Sequence, residues 1–169
     1  LTWESPNTGI FKLKVDGSCK PASGNIGAGG VLRDFFGNWI KGFAVNLGNG
    51  QVLEAELWGL FFGLKMALDK GVNRLIIEMD SALCVQLIQQ TVASLVHFTM
   101  PIVSILWLAG LLHSCGTLLR QFENHQIQHV YMEKNYLAVL QDGATILIWA
   151  FAFLKIPLWG LVMYWLMTC

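Results

Sequence analysis

From Phe11 to Asp16 apolar and polar residues alternate, with Phe11, Leu13 and Val15 on one side and Lys12, Lys14 and Asp16 on the other. A period of two marks a half-buried β-strand, so residues 10–16 are expected to form a first strand that ends at Asp16. The stretch "PASGNIGAGG" (21–30) reads as a glycine-rich turn. In the apolar run "VLRDFFGNWIKGFAVNLG", Gly37 and Asn38 separate two further strands as a hairpin turn would. Residues 52–71 carry no proline, are rich in helix formers and close on Gly71, which predicts a long helix. "RLIIEMD" (74–80) follows as a fourth strand, again ending in an aspartate. "SALCVQLIQQ" (81–90) reads as a helix capped by Asp80 or Ser81, residues 102–121 as another helix, and "IQHVYM" (127–132) as a fifth strand. The connections after strands three and four are long enough to return the chain parallel, so the expected fold is α/β: a five-stranded mixed sheet flanked by helices.

The helical stretch also places its charges. At about 100° per residue, Glu54, Lys65 and Asp69 share one wet stripe, whereas Glu56 points about 200° away from Glu54. That direction is shared with Leu60 and Ala67, the side expected to be buried, and Gly59 and Gly63 nearby would let the helix press close to a sheet. An inward carboxylate costs several kcal/mol unless a cation or hydrogen-bond donors compensate it. Taken singly, Asp16 before Gly17 is a common turn opener and Asp80 before Ser81 a common helix cap. Together, two aspartates at strand ends and an inward Glu56 could converge, and divalent cations with oxygen ligands would relieve their repulsion.

Composition narrows the classes. The chain has 169 residues, 54% of them hydrophobic, enough for one domain with a real core. Eleven basic residues balance eleven acidic ones, which excludes binding a polyanion by bulk charge. Cys19, Cys84, Cys115 and Cys169 show no CxxC pair and no Cys/His metal spacing, and read as reduced thiols in an intracellular (nuclear or cytoplasmic) protein. Charge is uneven: between Asp80 and Arg120 there is none, and from Thr145 to Cys169 only Lys155. The tail at 145–169 is therefore apolar enough to leave membrane association open, although Lys155, Pro157 and Gly160 weaken a spanning helix.

At this point the chain resembles the ribonuclease H type 1 domains, particularly the plant reverse-transcriptase-like group related to retrotransposon ribonuclease H. The stretches that carry the resemblance are "KLKVDGS", "GAGGVLRDFFGNWIKGFA", "EAELWGLFFGLKMALDKG", "LIIEMDS" and "IQHVYMEKN", within residues 3–143, with a core at 10–141. The resemblance implies magnesium- or manganese-dependent cleavage of the RNA strand of RNA/DNA hybrids by a two-ion mechanism, with no small-molecule cofactor. It also implies that Asp16, Glu56 and Asp80 are catalytic metal ligands and that Gly17 and Ser18 lie near the RNA 2′-hydroxyls.

The family's fourth carboxylate belongs to a pattern "REANxxAD". Here the chain reads "MEKNYLAVLQDGA", with Met132 for the arginine and Val139, or a deletion, for the aspartate. Asp142, about one helical turn on, is the candidate substitute, and His129 is a candidate auxiliary group for proton transfer or product release. With one ligand missing, the expectation is a site that keeps one ion rather than two and an activity that is weakened or absent. A hybrid-binding module without turnover and a membrane-attached remnant are the alternatives. "ILWLAGLLHS" (105–114) reads as an insertion in a helical region.

Overall fold

In a computed structural model, which describes residues 6–93 and 108–131, five strands and three helices follow one another along the chain. They are β1 (Phe11–Cys19), β2 (Asn25–Arg33), β3 (Trp39–Asn49), α1 (Val52–Asp69), β4 (Arg74–Met79), α2 (Ala82–Ala93), α3 (Ala109–Leu119) and β5 (Asn124–His129). The strands form one sheet in the order β3-β2-β1-β4-β5. β1–β2 and β2–β3 are antiparallel, whereas β4 lies parallel to both β1 and β5. The mixed five-stranded sheet expected from the periodicity is present.

Strict alternation divides the sheet between two environments. Leu13 and Val15 of β1, Leu32 of β2 and Ile77 and Met79 of β4 are buried beneath the helices, joined by Leu57, Leu60 and Leu64 of α1 and by Leu87, Ile88, Leu112 and Leu119 of α2 and α3. On the other face Lys12 and Glu78, each only 8% exposed, form an ion pair at 3.0 Å, and Gln128 of β5 donates to Glu78 Oε1 at 3.1 Å. That polar ladder ties β1, β4 and β5 together across the middle of the sheet.

Three expectations are corrected here. β1 does not end at Asp16; it runs on to Cys19, paired with β2 from Asp16↔Gly29 to Cys19↔Ile26. Likewise the turn expected over 21–30 is confined to its first residues, with β2 starting at Asn25. The reason is tertiary. A Cβ at Gly30 would lie 2.5 Å from the Phe43 ring and 3.0 Å from Val15, so the glycine serves close strand packing rather than chain reversal. The fifth strand is also displaced, occupying 124–129 rather than 127–132. As a sheet edge it accepts the polar sequence "NHQIQH" that composition assigns to a loop.

Elsewhere the expected elements hold. The hairpin turn is built on Asp34, whose carboxylate accepts from Phe36 N, Asn38 N and Asn38 Nδ2, and Gly37 takes a positive φ of 88°. The α1 stripe lies as predicted, with Glu56 buried and Lys65 and Asp69 exposed. Glu54 also accepts from Gln51 N at 3.5 Å in a capping box. Of the helix expected at 102–121, the described part is α3, so Leu108–Ser114 of the expected insertion lead into and form its first turns. The rest of that insertion and the 145–169 tail lie outside the described residues. Among those described, no helix is long and apolar enough to cross a membrane, and Cys19, Cys84 and Cys115 are free thiols.

Candidate active site

Register brings the two aspartates together. Lys14 of β1 pairs with Glu78 of β4, so Asp16 and Asp80 each lie two residues beyond the last matched pair of two parallel strands. β4 stops at Met79 while β1 continues, which leaves the lane beside the end of β1 without a strand. Glu56 enters there from the first turns of α1. A Cβ on Gly17 would collide with the backbone of Ala55 and Glu56, and one on Gly59 would sit 3.2 Å from the Asp16 carbonyl oxygen. The missing side chains at Gly17 and Gly59 are thus what allows α1 to lie directly against β1. The result is that one carboxylate oxygen from each of Asp16, Glu56 and Asp80 lies within 4.8 Å of the other two.

The capping question resolves at the same place. Ser81 Oγ accepts from Cys84 N at 3.2 Å, so Ser81 caps α2. The side chain of Asp80 is thereby left to the cluster.

Such a cluster is electrostatically costly. Burial, and after it the Asp80 charge, pushes the Asp16 carboxyl up to about 7 against the pull of the Gly17 backbone hydrogen bond and Lys14. Burial, followed by Asp16 and Asp80, pushes Glu56, only 4% exposed, up to about 9. One oxygen of Glu56 (Oε2) and one of Asp80 (Oδ1) are buried with no hydrogen-bond partner. Buried polar atoms are normally satisfied, and an orphaned pair beside a third carboxylate fits a small cation in between. The donors are all oxygen, the set that hard ions such as magnesium, manganese and calcium take.

With this geometry in place, the comparisons with known proteins are informative. The profile of the reverse transcriptase-like family matches residues 14–140. The chain belongs to the reverse transcriptase-like family. Within that family setting, it is 36% identical over 138 residues to the "Putative ribonuclease H protein" of Arabidopsis thaliana, a match covering 82% of this chain and 21% of that protein. The chain therefore spans about a fifth of that relative's length. Its fold is that of solved ribonuclease H domains. The N-terminal RNase H domain of a Mycobacterium tuberculosis protein superposes with a TM-score of 0.62 at 20% identity, covering 81% of this chain and 93% of that one. LC11-RNase H1, solved in complex with an RNA/DNA hybrid, superposes with a TM-score of 0.54 at 21% identity, covering 74% and 88%.

The remaining residues singled out in this reverse transcriptase-like domain fall into three groups. Gly17 and Ser18 lie inside β1 rather than in a turn after it, opposite Ala28 and Gly27 of β2. His129 ends β5 with its Nε2 3.0 Å from the Asp80 carbonyl oxygen, so it braces the backbone that carries Asp80. Val139 and Asp142 lie outside the described residues. What the sequence reading missed is the Lys12–Glu78–Gln128 ladder below the cluster. Its signal was the even spacing of Lys12, Glu78 and Gln128 on the polar side of three strands, legible only once their register is known.

Proposed function

We propose that this domain binds RNA/DNA hybrids and hydrolyses phosphodiester bonds of the RNA strand at Asp16, Glu56 and Asp80, with magnesium or manganese held among the three carboxylates. The observation that carries the reading is their convergence, two of them with buried oxygens that lack any partner. Support also comes from family membership and from the hybrid bound by a solved protein of the same fold. A bound divalent cation would supply positive charge at the scissile phosphate and acidify the attacking water. The chain's own contribution is placement. Asp16 is fixed by pairing on both sides of β1's first half and by β2 beyond it, Asp80 by the Ser81 cap and by His129, and Glu56 by the contact of α1 with Gly17. Rigid elements of this kind hold a catalytic constellation better than loops do. The buried setting also strengthens every charge interaction made there.

A second reading rests on one sequence observation: Val139 stands where the family pattern has its fourth carboxylate. In that reading the domain binds hybrid without turnover. A single assay addresses both. Full-length chain is incubated with end-labelled RNA/DNA hybrid and manganese, alongside Asp16→Asn and Val139→Asp. The proposal expects weak RNA cleavage that Asp16→Asn abolishes and Val139→Asp raises. Cleavage unchanged by Asp16→Asn would overturn the assignment of the site. Tight binding with no cleavage by any of the three proteins would favour the binding module.

A further inference from the structure

The parallel strands β1, β3, β4 and β5 all point toward the carboxylate end of the sheet, and both α1 and α2 begin there. Among the described residues four large apolar side chains are well exposed: Phe36, Val52, Leu83 and Tyr131. Phe36 sits on the hairpin at the opposite end. The other three belong to the carboxylate end: Val52 opens α1 one turn before Glu56, Leu83 lies in the first turn of α2 three residues after Asp80, and Tyr131 follows β5. Tyr131 is the largest and, at 74%, the most exposed of the four. It is also held in place. Val130 N bonds to the Met79 carbonyl oxygen at 2.8 Å, and the His129 ring meets the Tyr131 ring edge to face at 5.1 Å and 73°. His129 in turn reaches the Asp80 carbonyl oxygen.

A large aromatic ring left in water costs free energy unless something covers it. A chain with no net charge also has no bulk positive field with which to hold a nucleic acid, so its contacts must be local. Stacking of bases or sugars on aromatic rings is the other general source of affinity for nucleic acid strands, and it tolerates any sequence because every base has a π-face. Building on the function proposed above, we infer that Tyr131, braced by His129 beside Asp80, is a stacking contact for a nucleotide next to the scissile phosphate. The ring face does the binding; the hydroxyl is dispensable. The exposed position means that its truncation leaves the core intact.

The test is fluorescence anisotropy of full-length chain with a labelled RNA/DNA hybrid in calcium buffer, the RNA strand being checked for integrity on a gel afterwards. Wild type, Tyr131→Phe and Tyr131→Ala are compared across a salt series, with thermal melts to show equal folding. Tyr131→Ala is expected to weaken binding by about 5-fold to 100-fold, and Tyr131→Phe by less than about twofold. The slope of log affinity against log salt stays unchanged in both, because no phosphate contact is lost. Equal affinity of wild type and Tyr131→Ala would overturn this inference and leave the proposed function standing. An equal loss in Tyr131→Phe and Tyr131→Ala would also overturn it, by assigning the contact to the hydroxyl. Absence of hybrid binding by wild type would overturn both.

Discussion

Replacing Glu56 by Gln tests the electrostatics of the site through stability. Burial, followed by the charges of Asp16 and Asp80, pushes the Glu56 carboxyl from its ordinary 4.5 up to about 9, so over that interval the unfolded chain has released a proton that the folded one retains. Stability from this group is therefore full below the lower value and falls as pH rises toward the upper one. At about 1.4 kcal/mol per pH unit, the three units from 4.5 to pH 7.5 amount to about 4 kcal/mol. The Gln amide brings a buried donor of its own, costing about 1–3 kcal/mol. The net expectation is a metal-free variant more stable than wild type by about 1–3 kcal/mol at pH 7.5. Asp16 supplies an internal control: it is raised by burial and Asp80, so its penalty persists in the variant, but it is complete above about pH 7. Between pH 7 and 8, below the range where the raised Cys84 and Cys115 thiols begin to contribute to both proteins, wild type should go on losing about 1.4 kcal/mol per unit while Glu56→Gln stays level. Urea unfolding in EDTA at pH 6, 7, 8 and 9 measures this directly. A wild-type stability that is flat above pH 7, or a Glu56→Gln protein less stable than wild type throughout, would refute the reasoning.

Three further outcomes are expected. Gly17→Ala forces a methyl group into the backbone of Ala55 and Glu56, so it should destabilise by about 1–3 kcal/mol in urea unfolding and, by displacing Glu56, weaken manganese binding in calorimetry. Lys12→Met removes the cation 3.0 Å from buried Glu78 but leaves it the charge of Lys14 and the Gln128 amide, so the cost should be about 1–3 kcal/mol, which the double variant Lys12→Met, Glu78→Leu should largely recover in the same unfolding assay. Iodoacetamide followed by mass spectrometry on the folded protein should label Cys19 ahead of Cys84 and Cys115, because burial raises both of the latter thiols, Cys115 to about 12.

The candidate site was more legible in the sequence than the boundaries of the strands that carry it. Glu56 was found by helical periodicity alone, because one face of an amphipathic helix fixes the direction of every residue on it. The same geometry points to Gly59 as a site of close helix–sheet packing, and its neighbour is the Asp16 carbonyl. The end of β1 was misplaced because Gly17 and Ser18 look like turn residues locally. They are strand residues through pairing with Ala28 and Gly27, a contact that no local pattern encodes. The glycines of β2 misled in the same way: Gly30 is small to admit Phe43, which comes from another strand. For β5 the polar sequence hid an edge strand, and the Lys12–Glu78–Gln128 ladder stayed invisible because it depends on the register of three strands at once.

The central claim is that Asp16, Glu56 and Asp80 jointly hold a divalent cation. Titration of manganese into the full chain, followed by the electron paramagnetic resonance signal of the free ion, measures it without reference to activity. Asp16→Asn, Glu56→Gln and Asp80→Asn should each weaken binding by about tenfold or more, since each removes one anionic oxygen ligand. Wild-type affinity in any two of the three variants would contradict the account.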